Sequence, residues 1–411
     1  MSKPFLLYQA PIATRSGYGD HARDLLKSFR DLDYYDIKIV STKWGATPMD
    51  QLDPTNEFDK WVIENIVTQI SKQPDVYVQM TVPNEFQKVG KFNIGITAGI
   101  ETTIIPKDWV DGCNRMDLVI TTSNHSKSGI TGTTWTEKSK ETQQIIAEHR
   151  VSKPVEVLFE GTDYKELDRL EKLDNIKEDF CFLFVGHWLQ GNLYHDRKDI
   201  GGMIQTFLSA FSRVKGEKPA LILKTSSAGF SVRDREEMLR KVNDVVSKVN
   251  SDVSIYLLHG DLTTDDMWRL YNHPKVKATL SFTHGEGFGR PLLEFSMTGK
   301  PVIASGWSGQ VDFLNENGSV LLKGDLRNVD PSAANQFLLG ESQWFYVNYS
   351  DAALKLNDVF NNYSKYLSES SKLGAENRVK FSHSKMTESL KVICDRYVKV
   401  AKHVDLVLPE F

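Results

Sequence analysis

The sequence has few cysteines, little net charge and no long apolar run. Its 411 residues include three cysteines, Cys113, Cys181 and Cys394, whose wide separation disfavours disulfides and a thiolate metal site. The net charge of −4 excludes a global basic field of the kind that recruits nucleic acid or anionic membranes. No apolar stretch approaches the length of a transmembrane helix, and the one near the N-terminus is too short for a secretory signal. We therefore expect a cytoplasmic protein with no transmembrane segment.

Short apolar segments alternate with amphipathic ones along most of the chain. This alternation is typical of α/β proteins in which helices connect parallel strands. A chain of 411 residues is too long for one ordinary α/β core. The sequence therefore predicts two doubly wound Rossmann-like domains that face one another across a cleft. The predicted strands are residues 5–8, 37–40, 76–80, 92–97, 118–122, 155–159, 180–185, 220–224, 253–258, 278–282, 301–304 and 319–322.

The two predicted domains meet in a charged segment. Residues 163–179 are rich in acidic and basic side chains and lack strand character. We place an N-terminal domain at residues 1–168 and a C-terminal domain at residues 169–384. Within the first domain, residues 137–148 are polar and predict an exposed helix or excursion.

The C-terminal segment predicts one more helix. Leu390, Ile393, Tyr397 and Val400 recur at helical spacing, so they share one apolar face. Such a face needs a folded surface to cover it. We therefore expect a helix in residues 385–411 that packs back on the N-terminal domain.

The segment around residue 290 carries the strongest functional pattern. A strand-like run is followed by a loop with three glycines, and Pro291 then occupies a position typical of the start of a helix. Such a loop directs backbone N–H groups toward an anion, most often a phosphate. Glu286 and Glu294 flank that position, and carboxylates accept hydrogen bonds from sugar hydroxyls. The alternative is that the glycines only shape a tight turn and both glutamates are solvated.

A second pattern follows the first strand of the C-terminal domain. The strand ends at Gly186, and the loop after it holds His187, His195, Arg197 and Lys198 before the next helix. Basic side chains at the carboxyl end of a parallel strand can face an anion in the cleft. On composition alone, a solvated charged connection explains this loop equally well.

Two loops of the N-terminal domain also follow predicted strands. Gly17 and Gly19 precede a helix, where they allow the backbone to approach a ligand closely. Glu101 follows the strand at 92–97, in a loop that opens toward the cleft. The competing interpretation is that Glu101 only caps a turn.

The stretch EGFGRPLLE, from Glu286 to Glu294, resembles the signature of retaining glycosyltransferases of the GT-B fold, family 4 in particular (glycosyl transferases group 1). In that family the pattern is E-G-F-G-x-P-x-x-E, and the resemblance implies a role for each conserved position. The second glutamate, Glu294 here, would bind the ribose of the donor. The first, Glu286, would contact hydroxyls of the transferred sugar. The backbone of Gly287, Phe288 and Gly289 would meet the sugar and the diphosphate.

The same resemblance extends to the basic loop and to the N-terminal domain. The lysine that neutralises the donor diphosphate in the family corresponds to Lys198. The family arginine that follows the strand glycine is replaced by His187, so Arg197 or Arg290 are the candidates to substitute for it. Gly17 matches the N-terminal glycine loop that lies over donor and acceptor. Where many members carry a histidine near the reacting sugar, this chain has Glu101.

The resemblance implies a retaining, metal-independent hexosyl- or pentosyltransferase that uses a nucleotide-diphosphate sugar and has no tightly bound cofactor. Its catalytic residues would be Glu286, Lys198 and Glu101. The hydroxyl acceptor stays open among glycans, lipids and small molecules, and a hydroxymethylated DNA base of viral type is a further option. Nucleic acid is thus expected only as an acceptor. The alternatives are a nucleotide-sugar epimerase or hydrolase of the same fold, and a non-catalytic nucleotide-sugar binding protein.

Overall fold

The computed structural model describes residues 3–227 and 229–398. Its first half is built around a parallel sheet with strand order β2-β1-β3-β4-β5-β8, and β6 and β7 form a separate antiparallel hairpin. The elements of this half are β1 (Phe5–Ala10), α1 (Gly17–Leu32), β2 (Asp36–Ser41), α2 (Glu57–Asn65), β3 (Val76–Met80), β4 (Phe92–Thr97), α3 (Lys107–Arg115), β5 (Leu118–Thr121), α4 (Asn124–Gly132), β6 (Thr134–Lys138), β7 (Ile145–Arg150) and β8 (Val155–Val157).

The second half is built around a parallel sheet with strand order β11-β10-β9-β12-β13-β14, next to an antiparallel pair, β15 and β16. Its elements are β9 (Cys181–His187), α5 (Ile200–Phe211), β10 (Ala220–Ser226), α6 (Val232–Val246), β11 (Ile255–Leu257), α7 (Thr264–Asn272), β12 (Val276–Ser281), α8 (Arg290–Met297), β13 (Val302–Ser305), β14 (Val320–Leu322), β15 (Gly324–Asn328), β16 (Gln343–Val347), α9 (Tyr349–Asn361), α10 (Tyr363–Lys380) and α11 (His383–Tyr397).

The apolar strands are buried because helices cover both faces of each parallel sheet. Strand β3 is buried at every position, and β9 is buried over its first four residues. In the second half, one core packs under α5 and α6, and another packs under α7 and α8. The prediction of two doubly wound parallel sheets is therefore confirmed.

Each sheet reverses its strand order at one point, between β1 and β3 in the first half and between β9 and β12 in the second. Ligands of doubly wound sheets bind at such a switch point, beyond the carboxyl ends of the strands. The loop after β1 leads to Gly17, and the loop after β9 contains Lys198. The loop after β12 contains Glu286, so the main predicted site residues follow the strands that form the two switch points.

The two halves touch through the loop of residues 285–289, called the glycine loop from here on. A Cβ atom added to Gly285 would lie 1.9 Å from the carbonyl oxygen of Glu101, and one added to Gly287 would lie 2.1 Å from that of Ala98. Both distances are far below van der Waals contact, so only glycine allows the loop to approach the first half this closely. The structure thus has the two halves closed on one another.

Several sequence-based elements differ from the structure. The polar stretch 137–148 belongs to the β6–β7 hairpin and not to a helix. The antiparallel pair β15–β16 and helices α9 and α10 were not predicted, because their sequences lack the strand–helix rhythm used to find the other elements.

The C-terminal helix α11 lies against the first half. Met386, Leu390 and Ile393 join the same apolar cluster as Leu25 and Phe29 of α1. The part of the predicted helix from residue 399 onward lies outside the described residues. The domain bounds 1–168 and 169–384 stay a prediction.

Candidate active site between the two halves

A buried ion pair joins the loops that follow β9 and β12. Lys198 Nζ donates to Glu286 Oε1, and the two residues are 8% and 7% exposed. Lys198 directly precedes the N-cap of α5, which is Asp199 in the left-handed conformation with φ of 46°. Because β9 and β12 are neighbours in the sheet, residues 88 positions apart in the sequence meet at one point.

The charges of this pair depend on one another. Burial raises the pKa of Glu286, but Lys198 and Arg197 outweigh that effect and the net pKa is lowered. Burial lowers the pKa of Lys198, and the Glu286 carboxylate offsets it only in part. Glu286 is therefore a carboxylate at neutral pH, held between two cations in a buried site.

Arg197 extends this charged group to the other half. Its Nη1 atom lies 3.5 Å from Glu286 Oε2 and 3.4 Å from Glu101 Oε1. Burial would lower the pKa of Arg197, but Glu101 and Glu286 raise it above its ordinary value. The structure thus brings together four of the predicted residues, and Arg197 bridges an acid from each half.

The glycine loop is fixed at its start by the segment after β13. The backbone N–H of Glu286 donates to Ser308 Oγ at 2.9 Å, and the Gly309 N–H donates to the Glu286 carbonyl at 3.0 Å. Gly289 closes the loop with a φ of 96° as the N-cap of α8, a conformation that favours glycine. The Phe288 side chain is 3% exposed and packs on Phe313, so this residue can offer a ligand only its backbone.

The second glutamate of the pattern lies on α8 and pairs with Arg290. Arg290 Nε donates to Glu294 Oε1 at 2.9 Å, while its Nη1 contacts Asp24 Oδ2 of α1 at 2.6 Å. Tyr271 donates its hydroxyl to Glu294 Oε2 at 3.4 Å. Burial raises the pKa of Glu294, and the ion pair with Arg290 offsets that only in part. Arg290 thus binds acids near α1, whereas Arg197 is the arginine that lies beside Lys198 and Glu286.

The remaining predicted residues lie on the rim. His187 is exposed, and its Nδ1 lies 3.2 Å from Ser226 Oγ at the end of β10. Desolvation, and then the cations Lys198 and Arg197, lower the pKa of His187, so its ring is mostly neutral at pH 7. Gly17 begins α1, and a Cβ atom there would meet nothing within 4 Å, which leaves open space beside the helix N-terminus.

The sequence did not identify three residues that organise this site: Ser308, Asp24 and Ser226. Ser308 and Ser226 lie at or just after the carboxyl ends of strands adjacent to the site strands, and that position was the available signal. Asp24 offered no signal, because it lies within a helix and meets Arg290 from 266 positions away.

One cavity of the described structure lies away from these residues. It has a volume of about 480 Å³ and is lined by Asp36, Tyr35, Trp61 and other residues near the amino end of β2. Ligands of parallel sheets bind at the opposite, carboxyl edge. We therefore place the candidate site at the junction of Lys198, Glu286 and the glycine loop.

No protein-family model matches the sequence, and no curated protein matches it. Solved structures do match along nearly the whole chain. A crystal structure of Anabaena Alr3699/HepE in complex with UDP and glucose has a TM-score of 0.62 at 14% identity, over 95% of this chain and 99% of that one. Sucrose-phosphate synthase from Thermosynechococcus elongatus has a TM-score of 0.61 at 12% identity, over 96% and 98%. A glycosyltransferase from Rickettsia africae has a TM-score of 0.61 at 15% identity, over 98% and 100%.

These structures and the two facing Rossmann-like sheets define the architecture, and the chain has the GT-B fold. The resemblance drawn from EGFGRPLLE is thereby confirmed at the level of the fold. No helix in the described part of the chain combines the length and apolarity needed to span a bilayer. Within residues 3–227 and 229–398, no three or more His, Cys, Asp or Glu side chains are grouped so as to hold a metal ion.

Proposed function

We propose that the chain is a retaining glycosyltransferase that moves a sugar from a nucleotide-diphosphate sugar to a hydroxyl acceptor. The observation that carries this proposal is the buried Lys198–Glu286 pair, which lies at the switch point of the second sheet and includes a residue of the glycine loop. The fold supports it, since a structure similar to this chain holds UDP and glucose.

In this proposal the donor diphosphate lies against Lys198 and the N-terminus of α8. Both are positive, one as an ammonium group and the other through aligned backbone N–H groups. A diphosphate that binds Lys198 would replace the hydrogen bond from Lys198 Nζ to Glu286 Oε1. Glu286 Oε1 would then be free to accept hydrogen bonds from hydroxyls of the transferred sugar. Arg197 keeps Glu286 ionised during this exchange, because it lies on the other carboxylate oxygen.

Catalysis then rests on electrostatics and positioning. Lys198 stabilises the charge that grows on the departing diphosphate, and Glu286 holds the sugar in its reactive orientation. Retention needs no protein nucleophile if the diphosphate itself helps to deprotonate the acceptor on the same face. Glu101, which reaches the site from the first half through Arg197, is the residue best placed to meet the acceptor side.

The other donor contacts follow from position. Glu294 would hold the ribose, and the backbone of Gly287, Phe288 and Gly289 would face the sugar and diphosphate. Gly17 borders open space on the first half. We propose that the reaction is independent of metals and of bound cofactors, and that it takes place in the cytoplasm. The acceptor class stays open among glycans, lipids, small molecules and modified DNA bases.

The decisive experiment compares Lys198→Ala with Lys385→Ala. Lys385 also pairs with a glutamate, Glu388 at 2.8 Å, but on the exposed surface of α11. A thermal-shift screen of nucleotide sugars first identifies the donor, and its turnover is then measured with and without candidate acceptors. We expect Lys198→Ala to reduce turnover by at least about 100-fold, comparable to loss of one electrostatic group, whereas Lys385→Ala keeps the wild-type rate.

The same assay separates the alternatives. Donor turnover that needs an acceptor supports transfer, and nuclear magnetic resonance of the product shows whether the anomeric configuration is retained. Turnover without an acceptor would indicate an epimerase or a hydrolase. Binding without turnover would indicate a nucleotide-sugar binding protein. Wild-type turnover in a folded Lys198→Ala variant would contradict the proposed site.

A further inference from the structure

Arg290 occupies a position that disfavours its own charge. It is the first residue of α8, and the N-terminus of a helix carries a partial positive charge that repels cations. The side chain is also largely buried. A buried guanidinium at a helix N-terminus needs acidic partners. The positions of those partners show which parts of the structure Arg290 connects.

The partners of Arg290 come from both halves. Nε binds Glu294 Oε1 of the second half at 2.9 Å, and Nη1 binds Asp24 Oδ2 of α1 at 2.6 Å. The same Nη1 lies 3.6 Å from Glu160 Oε2, in the segment after β8. Burial lowers the pKa of Arg290, but Asp24, Glu294 and Glu160 outweigh it and raise the pKa well above its ordinary value.

We propose that Arg290 is a positioning residue that couples closure of the two halves to the orientation of Glu294. This inference rests on the proposed function, in which Glu294 holds the donor ribose. The planar guanidinium presents N–H groups in a rigid fork, so the contact with Asp24 fixes the plane in which Nε meets Glu294. When the halves are closed, Glu294 is oriented for the ribose. When they separate, Arg290 loses Asp24 and Glu294 loses its fixed orientation.

The coupling has a testable direction. Arg290 orders Glu294 only in the closed state, so closure raises the affinity for the donor. By linkage, donor binding then shifts the equilibrium toward the closed state by the same factor. Weakening the contact between Arg290 and Asp24 should therefore loosen the closed state even without donor. It should also reduce donor affinity, although Asp24 itself is not proposed to touch the donor.

The experiment uses Asp24→Asn, with Asp31→Asn as a matched control on the same helix. Asn keeps the shape of the side chain and removes its charge, and Asp31 pairs only with its neighbour Arg30 among the ion pairs of the described residues. Hydrogen exchange of the free proteins is measured for residues 98–103 and for the glycine loop, which touch when the halves close. Affinity is measured by calorimetry for UDP, GDP and ADP, and the diphosphate that the wild type binds most tightly is used for comparison.

We expect Asp24→Asn to exchange faster in both segments and to bind the nucleoside diphosphate about tenfold more weakly, within the range of coupling between linked sites. Arg290→Lys keeps the charge but lacks the fork, so it should weaken binding as well. The double variant Asp24→Asn with Arg290→Lys should bind the nucleoside diphosphate no more weakly than Arg290→Lys alone, because both changes break the same contact between Arg290 and Asp24.

Two outcomes overturn the inference in different ways. If Asp24→Asn matches Asp31→Asn in exchange and affinity, or if its effect adds in full to that of Arg290→Lys, the coupling is absent while the proposed function stands. If the wild type binds none of the three diphosphates and turns over no nucleotide sugar, the proposed function fails and the role of Glu294 fails with it.

Discussion

Burial of Glu160 destabilises its ionised form, and we expect the stability of the protein to depend on pH as a result. Its side chain follows β8, is 6% exposed and has Oε2 without a hydrogen-bond partner. Burial raises its pKa from 4.5 to about 8. The guanidinium of Arg290 lies 3.6 Å away, but it is shared with two closer carboxylates and does not offset burial. Glu160 is therefore protonated in the folded protein at pH 7 and ionised in the unfolded chain.

The sign of the effect follows from proton binding. Between pH 4.5 and about 8 the folded state holds a proton that the unfolded state has lost, so the free energy of unfolding falls as pH rises. Since each pKa unit is worth about 1.4 kcal/mol, Glu160 reduces stability by roughly 3 kcal/mol at pH 7 and roughly 5 kcal/mol above pH 8. Glu160→Gln removes this penalty because the amide does not ionise.

The assay compares urea unfolding of the wild type and Glu160→Gln from pH 5 to pH 9. We expect the variant to gain stability over the wild type by about 1.4 kcal/mol for each pH unit up to pH 8 and then to level off. Glu166→Gln is the matched control, since Glu166 is an exposed glutamate in the same segment. A difference between Glu160→Gln and the wild type that stays constant with pH would refute the reasoning, because it would mean that Glu160 is already ionised when buried.

Two further predictions concern the rim and the glycine loop. Gly287→Ala should destabilise the chain by about 1–3 kcal/mol, as overpacking does, and should speed hydrogen exchange at residues 98–103, because its Cβ would meet the Ala98 carbonyl at 2.1 Å. Gly132→Ala, where a Cβ meets nothing within 4 Å, is the control, and equal effects of the two changes would contradict the close contact. His187→Arg should tighten binding of the nucleoside diphosphate about threefold, as an exposed charge pair does, because the native ring is mostly neutral. Calorimetry checks it, and unchanged affinity at low salt would show that His187 does not face the diphosphate.

The fold was predictable because its signals are local. The alternation of apolar and amphipathic segments identified both parallel sheets, and glycine with proline marked the start of α8. Local signals also located Lys198 and Glu286 at strand ends, and the topology then placed those strands side by side. The β15–β16 pair was missed because β15 is polar and mostly exposed, and because the pair is antiparallel and follows β14 with no helix between them, so it departs from the alternation of strand and helix used to find the other strands.

The pairing of charges was not predictable for a different reason. The sequence shows that Arg290 and Glu294 are one helical turn apart, but Asp24 enters their site only because the two halves close on one another. The contact between the two halves also explains why Gly285 and Gly287 are glycines. Gly285 and Gly287 were expected to admit a phosphate, whereas in the structure both are required where the loop meets the carbonyls of Glu101 and Ala98. A ligand that binds beside this loop must therefore share its space with the other half. Under the proposed function, closure is then part of donor recognition.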